Sequence, residues 1–296
     1  MHNLYKTREG GATVTVFVPY DCPNNCPFCV NKAEYANSKD FSLEKICSSI
    51  QAINEITPYC DFVFTGGEPL ANLEGLATML SFIPTTHKVY INTSLPAQKD
   101  GGEQLLAFLD KQKEKITCIN VSRHLRHFVQ EASDDILSKL PIPFRINCVL
   151  FDNYPKDKLL PFIERFKGIP GANIQLRFDY TKTTPENLYD EDDDPIIADV
   201  KKFATFTGLD GCRMRCGFHY DYEGLSIVYH KTLPYSTIKE VDPEDGKEYD
   251  ILYDILIKQN GDFHSDWNDT VTKDLILDLD AYRHVKYEPY DLKWIK

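Results

Sequence analysis

No apolar run in the sequence approaches the roughly 20 residues needed to cross a bilayer, and the opening MHNLYKTREGG carries no apolar stretch of the kind secretion requires. A spanning or exported protein is thereby disfavoured, and a cytoplasmic location is the expectation. Positive charge is also short. The chain has 33 Lys and Arg against 45 Asp and Glu, a formal net charge of −12. Such a surface repels polyphosphate and gains nothing from the counterion release that drives nucleic-acid binding. Nucleic acid is therefore disfavoured as a substrate, and only SRHLRH (122–127) and CRMR (212–215) offer local basic stretches. Glycine is sparse, at 15 of 296 residues, and no internal repeat or low-complexity tract is visible. Fibrous and disordered classes drop out. What remains is ordinary globular material, 42% hydrophobic, long enough for one large core and an appendage. Nine cysteines in a reducing compartment are expected to be metal ligands, catalytic thiols or core fillers, not disulfide partners.

From residue 13 to about 178, short β-branched runs alternate with helical patterns. TVTVFV (13–18) reads as a strand, and SLEKICSSIQAINEI (42–56) as a helix with Leu43, Ile46, Ile50, Ile53 and Ile56 on one face and Ser42 as N-cap. Strands at 61–65, 88–92 and 116–122 follow, each with a helical pattern behind it (72–83, 102–112 and 133–140). A strand at 144–150 with a helix at 157–167, and a strand at 173–178, complete six strands. Such alternation predicts an α/β fold with a parallel sheet, either doubly wound or a partly closed barrel, with chemistry at the C-terminal ends of the strands. The acidic stretch 181–195 breaks the pattern and sets the expected boundary between a core at 1–180 and a smaller α+β cap at 181–296. In the cap, 196–208 reads as a helix and Asn260-Gly261 as the turn of a hairpin.

The segment DCPNNCPFCVNK places Cys22, Cys26 and Cys29 in a C-x3-C-x2-C run with no fourth cysteine nearby, directly after the first predicted strand. A 4Fe-4S cube normally takes four thiolates, so three leave one iron open to an outside ligand. Closely spaced cysteines also suit zinc. The second predicted strand closes on FTGGEPL (64–70), where glycine permits close approach of the backbone to a ligand and Glu68 is a natural acceptor for an ammonium.

With these two motifs the sequence resembles the radical S-adenosylmethionine superfamily, over roughly residues 13–180. The resemblance implies a partial (β/α)6 TIM-like barrel with a small C-terminal cap, and two cofactors, a 4Fe-4S cluster and S-adenosyl-L-methionine. It implies that Cys22, Cys26 and Cys29 bind the cluster, with Phe28 the aromatic before the third ligand. It implies that Gly66, Gly67 and Glu68 hold the methionine amino group, and that polar residues ending the third and fourth strands, Ser122 and then Asn92, contact the nucleoside. The implied reaction is reductive cleavage of S-adenosylmethionine to a 5'-deoxyadenosyl radical that abstracts a hydrogen atom from a small-molecule, nucleotide or peptide substrate. A low-potential electron donor such as flavodoxin or ferredoxin is the implied partner, and oxygen sensitivity follows. A glycyl-radical-type activase acting on a protein partner, and a non-enzymatic metal- or nucleotide-binding module, are the alternatives.

Other residues divide less sharply. Arg145 and Asn147 share one face of a predicted strand, and with Arg177 they face either an anion or outward salt bridges. Cys212 and Cys216, with His219 in a C-x3-C-x2-H run, are read as loop or core residues, as zinc or cluster ligands with a residue such as His264, or as hydrogen-atom donors. Cys47, Cys60, Cys118 and Cys148 fall inside elements and read as core fillers. The aromatics Phe218, Tyr220, Tyr222, Tyr229 and Tyr235 suit ring stacking or the core equally. About a dozen residues precede the first predicted strand, too few for a fused leader-recognition domain. That mildly favours a small molecule or nucleotide as substrate.

Overall fold

A computed structural model describes residues 5–8, 13–18, 22, 24, 26–27, 29, 41–56, 60–126, 131–150, 153–178, 193–211, 215–232, 237–241, 246–252, 254–264 and 283–285. In chain order the elements begin with β1 (Tyr5–Arg8), β2 (Thr13–Val18), α1 (Leu43–Ile56), β3 (Asp61–Gly66), α2 (Leu73–Ser81) and β4 (Lys88–Thr93). Then come α3 (Glu103–Gln112), β5 (Cys118–Ser122), β6 (Phe144–Leu150), α4 (Leu159–Lys167), β7 (Ile174–Phe178) and α5 (Pro195–Val200). The rest is strand: β8 (Thr205–Gly211), β9 (Arg215–Tyr222), β10 (Leu225–Thr232), β11 (Thr237–Val241), β12 (Glu248–Leu252), β13 (Asp254–Ile257), β14 (Phe263–His264) and β15 (Arg283–Val285). The helix expected at 133–140 is a 3-10 turn, Asp134–Lys139, capped by the Ser133 hydroxyl, which accepts from the Asp135 N–H. The helix expected at 196–208 stops at Val200, and Thr205, Phe206 and Thr207 join β8, as their β-branched and aromatic side chains favour.

Eleven strands form one sheet in the order β14-β13-β2-β3-β4-β5-β6-β7-β10-β9-β8. The eight from β13 to β10 are mutually parallel, and antiparallel pairings finish both ends. Strand order follows chain order from β2 to β7, so every crossover steps to the adjacent strand. Register then places Val16, Phe64, Ile91, Ile119 and Phe144 in one row, and Val121, Ile146, Ile174 and Ile227 in another. These residues share a single core with Ile46 and Ile50 of α1, Leu76 of α2, Leu109 of α3, Phe166 of α4 and Ile197 of α5. One sheet face thus takes these helices, as in a singly wound barrel and unlike a doubly wound sheet, although no pairing closes the sheet among the described strands.

The boundary expected at residue 180 does not divide the sheet. Both β10 and β13, from the expected cap, add parallel strands to the core, one beside β7 and one beside β2. The β13–β14 turn is tied to α1: Ser49 Oγ donates to the Gly261 carbonyl at 2.6 Å, and the Ser42 N–H donates to that of Gln259 at 2.9 Å. Gly261 has φ +85°, and a Cβ there would stand 2.5 Å from Lys45 Cβ, so no larger residue fits. A four-stranded sheet, β11-β12-β1-β15, joins a strand ahead of the first expected one to C-terminal strands. Of the expected linker, 181–195, residues 181–192 lie outside the described residues, while Asp194 and Pro195 cap and open α5.

Phe218, Tyr220 and Tyr229 are core residues at 0–1% exposure, which resolves these three in favour of packing, while Tyr222 is half-buried and Tyr235 lies outside the described residues. Beneath those three, Asp194 organises a buried polar cluster. Its Oδ1 caps α5 by accepting from the Ile196 N–H at 2.8 Å, while its Oδ2 accepts from Tyr229 Oη at 2.9 Å and meets Lys231 Nζ at 2.8 Å. Both charged side chains are 4% exposed. Removing one partner strands the other charge. Asp194→Ala should cost about 3–5 kcal/mol in a urea-unfolding midpoint experiment. By contrast, Lys202→Ala, whose side chain is 71% exposed in its pair with Asp199, should cost no more than about 1 kcal/mol. His124, 6% exposed, is held down to about 4, first by burial and then by the Arg123 charge. The unfolded chain therefore takes up a proton near pH 6.5 that the fold refuses, so His124 erodes stability as pH falls from about 6.5 to 4. A His124→Gln variant should show a flatter stability profile across that window.

Candidate cofactor site

The site begins where β2 and β3 end, because their last paired residues are Val18 and Gly66. Gly66 has φ +110°, and a Cβ on it would lie 2.8 Å from the Val18 carbonyl oxygen and 2.9 Å from the Val18 nitrogen. Only glycine satisfies both the left-handed conformation and this backbone contact. The loop bearing Cys22, Cys26 and Cys29 leaves from Val18, so register carries both sequence motifs to one end of adjacent strands.

The three loop cysteines form no disulfide and are half-buried, and the Cys29 N–H donates to the Cys26 carbonyl at 3.2 Å in a local turn. Phe28 lies outside the described residues, as does Cys212, and the side chain of Cys216 is not described. No three His, Cys, Asp or Glu side chains are gathered closely enough to hold a metal ion among the described residues. A metal centre commonly draws its own ligands together, and the donor chemistry fits an iron-sulfur cluster: three thiols on one loop. The other described cysteines are different. Cys47, Cys60, Cys118 and Cys148 are all buried. Burial pushes the Cys60 thiol far up and that of Cys148 up to about 12, which keeps both protonated and unfit as ligands. Their reading as core fillers agrees with this.

Glu68 follows the glycines and is 3% exposed. Its Oε1 accepts from the Leu70 N–H at 3.1 Å and from Thr93 Oγ1 at 2.5 Å. Its Oε2 accepts from the Ser94 N–H at 2.8 Å and from Ser94 Oγ at 2.7 Å. A carboxylate offers about four lone-pair positions, and here four protein donors occupy them. The side chain thus clamps the end of β3 to the end of β4. Behind it lies Arg123, fully buried, whose Nη1 donates to the carbonyls of Ser94 at 2.7 Å and Ser122 at 2.9 Å. Its Nε stands 3.5 Å from Glu131, and Glu131 and Asp134 pair in turn with Arg165. SRHLRH is therefore no basic surface patch at Arg123, and the sequence gives no signal that this arginine is interior.

The nucleoside candidates sit on the sheet face opposite the described helices. Asn92 pairs with Asn120 and Ser122 with Asn147 in the strand register. Asn92 Oδ1 accepts from Asn120 Nδ2 at 2.8 Å. Asn120 and Asn147 are 5% and 8% exposed, and the Oδ1 atom of each is buried with no hydrogen-bond partner. Arg145, on this same face, stacks its guanidinium 5.4 Å from the Tyr90 ring centroid. Thr93, Ser94 and Asn120 are the residues that sequence reasoning passed over. Their signal was the clustering of polar residues at two strand ends, INTS and NVS.

A model of the 4Fe-4S single cluster domain family matches residues 9–122. No curated protein matches the sequence. Among solved structures, Streptococcus suis SuiB bound to precursor peptide SuiA is similar with a TM-score of 0.53 at 15% identity, over 90% of this chain and 63% of that one. Native anSMEcpe with bound AdoMet and Cp18Cys peptide gives a TM-score of 0.44 at 18% identity, over 61% of this chain and 53% of that one. The chain thus spans less than two thirds of either protein, and at these identities the likeness to SuiB speaks to the fold. No helix among the described residues is long and apolar enough to cross a membrane. The matched domain takes in both the cysteine loop and the glycine pair that register brings beside it, the two motifs on which the sequence resembles the radical S-adenosylmethionine superfamily.

Proposed function

We propose that the protein is an enzyme that cleaves S-adenosylmethionine reductively and uses the cleavage to take a hydrogen atom from a peptide. The observation that carries this reading is the Val18–Gly66 contact, which sets the C-x3-C-x2-C loop beside the GGE strand end. Cys22, Cys26 and Cys29 would hold the cluster, which when bound supplies the electron and an open iron position for methionine. Because four donors already engage Glu68, the methionine ammonium falls to main-chain carbonyls of the Gly66–Gly67 turn, with Glu68 fixing that turn against Thr93 and Ser94. Ser122, and then Asn92, would contact the nucleoside from the strand ends. A peptide is preferred over a small molecule or nucleotide because the fold is similar to that of SuiB, whose structure holds a precursor peptide, over 90% of this chain. The electron donor would be a low-potential protein such as flavodoxin or ferredoxin.

Two measurements test the assignments. Anaerobically reconstituted protein should hold about four irons per chain, the content of one cube, and replacing Cys22, Cys26 and Cys29 together with alanine should abolish it. Iron retained by that triple variant would place a cluster elsewhere. Glu68→Gln should keep its iron and bind S-adenosylmethionine roughly 10-fold to 150-fold more weakly, as expected for losing hydrogen bonds to a charged group. Thr93→Val and Ser94→Ala should weaken binding in the same direction, because each loosens the clamp. Full affinity in both of those variants would return the ammonium to the Glu68 carboxylate itself.

A further inference from the structure

Two acceptors beside the cofactor site are left over by the fold itself. Asn120 Oδ1 and Asn147 Oδ1 are buried with no hydrogen-bond partner in the protein, in residues that are 5% and 8% exposed. Strand alternation turns both side chains away from Ile119, Val121 and Ile146, their neighbours in the core, and onto the sheet face opposite the described helices. A buried acceptor left unpaired costs free energy, and native proteins satisfy nearly all such groups. Two of them on one face therefore mark a place where an arriving donor completes what the fold leaves unmade.

Their placement says what kind of donor. Asn120 Nδ2 donates to Asn92 Oδ1 on β4 at 2.8 Å. An amide carries its oxygen on the side away from its nitrogen, so that bond turns Asn120 Oδ1 from β4 toward β6, the strand that carries Asn147. Asn120 pairs in register with Arg145, and Asn147 lies two residues further along β6. The two asparagines are thus one strand (about 4.8 Å) and two residues (about 6.6 Å) apart, or roughly 8 Å on the diagonal. An extended peptide presents main-chain N–H groups to one side at every second residue, about 6.6 Å apart. The soft terminal torsion of asparagine lets each oxygen swing to meet its donor across the small difference. A nucleobase amine carries both hydrogens on one nitrogen and cannot span two such positions. Resting on the peptide reading above, we propose that Asn120 and Asn147 form a substrate subsite that accepts alternate main-chain N–H groups of an extended peptide. Such a subsite reads backbone, so it tolerates different side chains and rejects residues without an N–H, such as proline.

The test is binding, read by calorimetry on iron-loaded protein. The probes are pentaglycine and its N-methylated counterpart pentasarcosine, each acetylated at one end and closed as a dimethylamide at the other, so that the second offers no N–H. Pentaglycine should bind about 10-fold tighter, the scale of hydrogen bonds to acceptors that are otherwise unpaired. Asn147→Leu should remove most of that preference, whereas a preference caused by the added methyl groups alone would survive it. Asn120→Ala should act in the same direction and carries the test if Asn147→Leu fails to fold. The wild-type preference should persist with S-adenosylmethionine bound. Its loss on adding S-adenosylmethionine would give the acceptors to the nucleoside and overturn the peptide subsite, as would a preference that survives in every folded variant. Pentaglycine bound no tighter than pentasarcosine overturns the subsite and leaves the peptide reading standing. No binding of either, with 5'-deoxyadenosine still formed by the wild type, overturns both.

Discussion

The close backbone contact between Val18 and Gly66 is the constraint on which the rest of the site depends. Parallel strands cannot choose their ends independently, because one register fixes which residues emerge side by side. Here that register ends on a residue that must adopt φ +110° with no Cβ, and it therefore ends on glycine. The loop that follows Val18 carries the thiols, and the turn that follows Gly66 carries Glu68. Neither motif has to find the other through flexible chain. A glycine that costs stability in a strand interior is here what lets the two strand ends meet.

The same ends are stiffened by buried charge. Glu68, Ser94 and Arg123 connect the turns after β3, β4 and β5, and Glu131, Asp134 and Arg165 extend the network outward to α4. Taking a guanidinium fully out of water is expensive, and burial depresses its affinity for the proton even against two nearby carboxylates. An apolar replacement would be as stable or more so. What the charges add is direction. Carbonyl groups at loop turns can be held in one orientation only by donors, and Arg123 spends its donors on the carbonyls of Ser94, Ser122 and Ala132. The network makes three separate loops into one rigid rim.

The parts of this design that were legible in the sequence are those written as period or as spacing. Alternating apolar residues in TVTVFV and the Ile46, Ile50 and Ile53 repeat set β2 and α1 to within a residue, and three cysteines with TGGEP carry the family resemblance. Illegible were long-range pairings. Nothing local in DILI tells that it runs parallel beside β2, 239 residues upstream at the Thr15–Asp254 hydrogen bond, so the end of the chain was read as a separate cap. The stretch after Val200 failed for a different reason: an apolar pattern at helical spacing continued into residues whose β-branched and aromatic side chains pair with β9 instead. Arg123 was misread because a polar loop residue is presumed exposed until its partners are known.

No pairing closes the sheet among the described strands, and that gives this architecture a property that a closed barrel lacks. With the described helices confined to one face, the other face of eight parallel strands is left to chemistry among the described residues. Closure would oblige much of it to be filled by interior side chains. Here the antiparallel β9–β10 hairpin prolongs that face sideways, past β7. The residues proposed to hold the cofactors follow or end β2 to β5, and the prolongation adds positions on the same surface, in the same register. Changing the residues that face outward from β7, β10 and β9 leaves the Val18–Gly66 junction untouched, because the alternation of strand side chains separates them from the core that sets it. Residues on one side of the sheet can therefore change while the junction between β2 and β3 is held by the core on the other.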